Sequence, residues 1–145
     1  MPLVSAEGCL RLPVRLHGIQ LAYPVDVFLD ATCRRVLGFT VIGRDETLRF
    51  LPFAAAEVGA DSVEVRSALV LLDDVDFYRE RGCSLRSLLG RAVDVGLEVP
   101  ATVLDVLLDG HGEVRRVLVD ADGDELVLDA TAIPDLSGRY GVRAG

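Results

Sequence analysis

Apolar positions along this chain recur with a period of two rather than 3.6. In Val25-Asp-Val-Phe-Leu-Asp30, valines and aspartates alternate, which predicts a half-buried strand. A turn at Ala31-Thr-Cys33 follows, then Val36–Ile42, rich in β-branched and aromatic residues, and Leu48–Leu51, so three successive strands are expected. Pro52–Val58 reads as one helical turn with proline at its start and Gly59 behind it, and Ser62–Val65 as a short closing strand. Further on, Leu104–Asp109, Arg115–Val119 and Leu126–Leu128 predict three more strands, the first two joined by a turn at Gly110-His-Gly112. Many short strands at this spacing indicate small barrels rather than a helical or α/β domain.

The pattern also repeats. Val25–Asp30 returns as Leu104–Asp109 at an offset of 79, with four of six positions identical and the others still apolar. The same offset sets Val14-Arg-Leu16 on Val93-Asp-Val95. Beyond a turn one residue shorter, the offset becomes 78, and Val36, Phe39 and Val41 fall on Val114, Val117 and Val119, while Leu48-Arg-Phe50 falls on Leu126-Val-Leu128. Two copies of one unit are expected, residues 1–72 and 85–145, joined by a polar linker over 73–84.

This register decides how to read the acidic stretch Val119–Leu128. Asp120, Asp122 and Asp124 could take the first, third and fifth positions of a calcium loop, but the sixth must be Gly and is Glu125, and the twelfth should be Glu and is Thr131. The matching stretch Val41–Phe50 has the same length with Ile42, Gly43 and Arg44 at the positions of Asp120, Ala121 and Asp122, so the turn forms without those acids. Asp-Gly between two apolar strands marks a hairpin tip.

Leu88-Leu-Gly-Arg-Ala-Val93, Leu104–Asp109 and the Val117-Leu-Val119 strand resemble the PRC-barrel domain, and so do Val25–Asp30, Val36–Val41, Phe50-Leu-Pro-Phe53 and Gly59–Val65 in the first copy. The resemblance covers nearly the whole chain. It implies two small SH3-like, PRC-type β-barrels in tandem with short helical turns, acting without catalysis by docking onto a larger assembly. Relatives include the cytoplasmic part of the photosynthetic reaction-centre H subunit and the C-terminal part of a ribosome maturation factor. The first copy departs from the family by having Arg11-Leu12 where the second has Gly90-Arg91. The second copy has no obvious closing strand after Ile133. An open sheet edge invites pairing, so either the two halves pack on each other or a second chain completes the sheet as a homodimer.

Charge and composition narrow the partners. The chain of 145 residues is half hydrophobic and carries a formal net charge of −8. Its arginines are scattered apart from the pairs Arg34-Arg35 and Arg115-Arg116, whereas phosphate-backbone binding needs clustered positive charge, so direct nucleic-acid binding is not expected. No apolar run is long enough to span a bilayer, and Met1–Val14 lacks the pattern of a signal peptide. A cytoplasmic protein is expected. All fifteen basic residues are arginine, which points to a G+C-rich, bacterial genome.

Candidate chemistry is sparse. Cys9, Cys33 and Cys83 are too few and too far apart for a disulfide framework or zinc spacing and read as reduced thiols. His17 and His111 both fall in turns and have no second ligand at metal spacing. Asp30 and Asp109, at the ends of the two matching strands, read as turn caps that bond backbone N–H groups. No nucleophile elbow, phosphate loop or paired acid–base set is present. No catalytic residue, cofactor or metal ligand is assigned. The two residues singled out for an interface are Phe77 and Tyr78, aromatic side chains among charges in the linker, which cover either the join between the barrels or a partner. The sequence therefore reads as a protein–protein interaction module, the alternative being an accessory to ribosome or RNA assembly that contacts protein rather than phosphate.

Overall fold

The computed structural model describes residues 2–73 and 75–136. The chain opens with β1 (Val4–Ser5), α1 (Ala6–Cys9), β2 (Val14–Leu16) and the long β3 (Ile19–Asp30). It continues through β4 (Val36–Gly43), β5 (Leu48–Pro52), a 3-10 turn at Phe53–Ala55, β6 (Glu57–Val58) and β7 (Val63–Glu64). The second half holds α2 (Val75–Arg81), β8 (Gly82–Ser84), α3 (Leu85–Leu88), β9 (Ala92–Val93), β10 (Ala101–Leu108), β11 (Val114–Ala121), β12 (Asp124–Asp129) and a last 3-10 turn at Ala130–Ala132. The chain is mostly strand, with only short helices, as its period-two patterning requires. The expected helical turn after Pro52 and the closing strand near Ser62–Val65 are both present. Whether a strand follows Ile133 falls, from residue 137 on, outside the described residues.

Left-handed residues close the hairpins. His17 and Gly18 (φ 50° and 80°) turn β2 into β3, and Asp122 and Gly123 (φ 54° and 89°) turn β11 into β12. Two successive positive φ values give the tight turn whose twist matches that of the flanking strands. The acidic stretch is therefore a hairpin tip, with the Asp120 carboxylate accepting the Gly123 N–H at 2.9 Å.

The strands form two sheets, ordered β5-β4-β3-β2-β7-β6 with β8 also on β3, and β1-β10-β11-β12 with β9 also on β10. Each half lends its opening strand to the other's sheet. β1 pairs with the end of β10 (Val4 opposite Leu108), and β8 pairs with the end of β3 (Cys83 opposite Leu29). The halves also meet through reciprocal main-chain bonds, Val36 N–H to the Gly112 carbonyl at 2.8 Å and Val114 N–H to the Arg34 carbonyl at 2.9 Å. Beside these, Arg35 and Glu113 form an ion pair at 3.2 Å. One core runs through both sheets, combining Val27, Leu29, Phe39 and Leu51 with Val103, Val106, Val117 and Val119, and with Cys9, Leu85 and Leu88 from the short helices. Burying each such side chain contributes roughly 1.5–3 kcal/mol.

β3 and β10 are kinked alike. Val25 and Leu104 are each an extra residue against the neighbouring strand, and the partner strands each carry one more near Leu37 and Arg115. A bulge bends its strand and re-aims the next side chain. Here the re-aimed residues are Asp26 and Asp105.

Candidate functional site

Segment 73–84, expected to be a linker, carries α2 and β8 and lies against the first sheet. Tyr78 stacks on Phe50 at 3.7 Å between ring centroids and 5° between planes. Phe28, Phe50 and Val75 form a satellite cluster, with Leu37, Leu72 and Tyr78 around it. Phe50 fits because Gly38 lies opposite: a Cβ there would overlap the Phe50 ring and the Leu51 carbonyl oxygen. Tyr78 therefore belongs to the outer face of one sheet and does not cover the join between the halves. Phe77 meets Tyr78 edge-on at 5.1 Å, lies under the Arg81 guanidinium and stays 49% exposed.

Cross-strand register extends this face. Asp26, Thr40 and Phe50 lie in one row, and Tyr23, Ile42 and Leu48 in a parallel row two residues along β4 and β5. Residues two apart on a strand share a face. Tyr78 of α2 covers Phe50 in the first row, whereas in the second Tyr23 is 52% and Leu48 37% exposed. An apolar row is thus left open beside a helix that carries an exposed phenylalanine. No stretch of sequence signals this row, since its members come from three strands and meet only by register.

The expected turn caps are in place. Asp30 accepts the Arg34 N–H at 2.8 Å. Asp109 accepts the N–H groups of His111 and Glu113 at 2.8 and 3.1 Å and pairs with Arg115 at 2.7 Å. Burial pushes the Asp109 carboxyl up, but the Arg115 guanidinium and the two backbone N–H groups outweigh it and hold the group below its ordinary range. His17 and His111 are both exposed on their turns. Among the described residues no three His, Cys, Asp or Glu side chains cluster as metal ligands would, and no helix is long and apolar enough to cross a membrane.

Two part-buried serine–aspartate clasps, not foreseen from the sequence, fasten the exchanged strands. Ser5 caps α1 by accepting the Gly8 N–H at 2.9 Å and donates its hydroxyl to Asp105, which also accepts the N–H groups of Glu7 (3.0 Å) and Val106 (2.8 Å). Ser84 caps α3 in the same way and donates to Asp26, which accepts the N–H groups of Val27 (2.8 Å) and Arg86 (3.2 Å). A bulge on the strand, a serine cap on the incoming helix and an offset of 79 recur in both clasps. These aspartates hold helix N-termini and are not free for acid–base work.

Of the three cysteines, Cys9 and Cys33 are buried and Cys83 is half-buried, and all are free thiols. Burial, reinforced by nearby Asp105, pushes the Cys9 thiol up to about 11. Comparison of the chain with protein-family models and with curated proteins found no match to either.

Proposed function

We propose that the chain is a non-catalytic protein–protein interaction module made of two PRC-barrel-like units, each unit taking its opening strand from the other. The paired bulges, the paired serine–aspartate clasps and the reciprocal strand exchange support descent from one repeated unit. The row Tyr23, Ile42 and Leu48, with Tyr23 and Leu48 exposed on the sheet, carries the docking reading. Aromatic and aliphatic side chains left exposed together favour a protein partner, and the net charge of −8 disfavours a nucleic-acid backbone.

Crosslinked pull-down from the native host, with and without nuclease, compares the wild-type chain with a Tyr23→Asp, Leu48→Asp double variant. One protein retained by wild type after nuclease and lost by the folded variant is the expected result. Equal recovery by both forms rejects this face as the docking surface. Recovery of ribosomal proteins would move the reading to ribosome or RNA assembly.

A further inference from the structure

We propose that Cys33 and Cys83 form a hydroperoxide-responsive dithiol, oxidised reversibly to a disulfide that fastens β8 to the loop after β3. The two residues are far apart in sequence, and the strand exchange brings them together. β8 pairs with the last residues of β3, with Gly82 opposite Asp30 and Cys83 opposite Leu29. The chain then leaves β3 through the loop that holds Cys33 at φ 59°, its N–H bonded to the Asp30 carbonyl at 2.9 Å. Gly82 allows the approach, because a Cβ there would overlap the Leu29 carbonyl oxygen. Cys83 also packs against the buried cluster that contains Cys33, and each thiol perturbs the other's titration.

Their surroundings differ in the way a reacting and a resolving thiol require. Cys83 lines a surface cavity of about 310 Å³ together with Ala31, Glu80, Ser87 and Arg91. Its sulfur is 3.8 Å from the Ser87 hydroxyl. Cys33 lies behind it, fully buried. The influence of each thiol on the other is the largest on both groups, lowering Cys83 and raising Cys33, so Cys83 is the more readily ionised of the two. Ser87 and Arg91 further favour the Cys83 thiolate against its partial burial.

The chemistry closes with a hydroperoxide as the oxidant. The Cys83 thiolate attacks the peroxide oxygen and the O–O bond breaks. The departing hydroxide or alkoxide takes a proton from solvent, leaving a sulfenic acid on Cys83. The Cys33 sulfur then attacks the sulfenic sulfur, and its proton leaves with the hydroxyl as water. Two thiols and one peroxide give one disulfide plus water and the alcohol or a second water.

The test exposes the reduced, full-length chain to hydrogen peroxide and reads intact mass and peptide maps. A product lighter by two hydrogens, containing a Cys33–Cys83 crosslinked peptide and reversed by dithiothreitol, is expected, together with a higher thermal midpoint. Cys33→Ser should instead trap a dimedone-reactive sulfenic acid at Cys83, and Cys9→Ser should behave as wild type. Alkylation of Cys83 should reach half its maximal rate at a lower pH than that of Cys9, and Arg91→Met should move that profile upward. Oxygen addition with no intrachain crosslink, a crosslink through Cys9 or between chains, or a Cys83 alkylation profile matching that of Cys9 would overturn the proposal. The wild-type map decides even if a variant fails to fold.

Discussion

Asp105 shows how much one buried carboxylate can organise. It is 6% exposed and holds a serine hydroxyl and two backbone N–H groups, so truncation strands three donors at a closed site. Asp105→Ala should cost about 2–3 kcal/mol and Asp26→Ala, at a more open site, about 1 kcal/mol, read from urea midpoints. Thr40 is the converse case. Its hydroxyl is buried opposite Phe50 with no hydrogen-bond partner, so the nearly isosteric Thr40→Val should raise stability by roughly 1 kcal/mol in the same assay. The lowered Asp109 carboxyl gives a pH dependence. A carboxyl depressed by folding contributes stability that is present above its unfolded value, about 3.9, and is lost as pH falls through its folded value. The urea midpoint should therefore hold steady down to about pH 5 and fall below about pH 4, and Asp109→Asn should flatten that fall. The turn-capping role of Asp30 and Asp109 was legible in the sequence because a cap acts within a few residues. The clasp role of Asp26 and Asp105 was not, because their serines lie on the other half of the chain.

At the scale of elements, α2 separates the two aromatic residues singled out by composition. Tyr78 stacks on Phe50 over a closed cluster, and Phe77 faces outward under Arg81. Tyr78→Ala should lose roughly 1–3 kcal/mol, from the stacking and the area uncovered. Phe77→Ala should lose under about 1 kcal/mol, most of it the cation–π contact. Thermal unfolding of the two variants side by side checks this, and equal losses would contradict the division of roles. Strand positions were largely readable because period two and left-handed turn residues are local signals. The helix over Val75–Arg81 was missed: seven residues, six of them charged or aromatic, carry little helical periodicity, and only docking on the first sheet gives the helix an apolar side.

For the whole molecule, strand exchange and one shared core make the halves interdependent. Residues 1–81 alone would lack β8 and α3, leaving Leu29 and Cys33 uncovered and the α1 cap without Asp105. Urea unfolding followed by far-UV circular dichroism and by tyrosine fluorescence should give one coincident transition, and a fragment of residues 1–81 should show none. Two separate transitions, or a cooperatively folding fragment, would show instead that each half is stable alone.

The amino-acid sequence by itself determined the mostly-β character, the order of the main strands, the turn at His17 and the hairpin at the acidic tip. Each rests on spacing within a handful of residues, where sterics and turn conformation act directly. Tertiary structure alone decided which strand enters which sheet, that Tyr78 closes a cluster while Tyr23 and Leu48 stay exposed, and that β8 brings Cys83 to the end of β3. These features join residues far apart in the chain, and their partners are chosen by burial and register, which a linear pattern constrains but cannot assign.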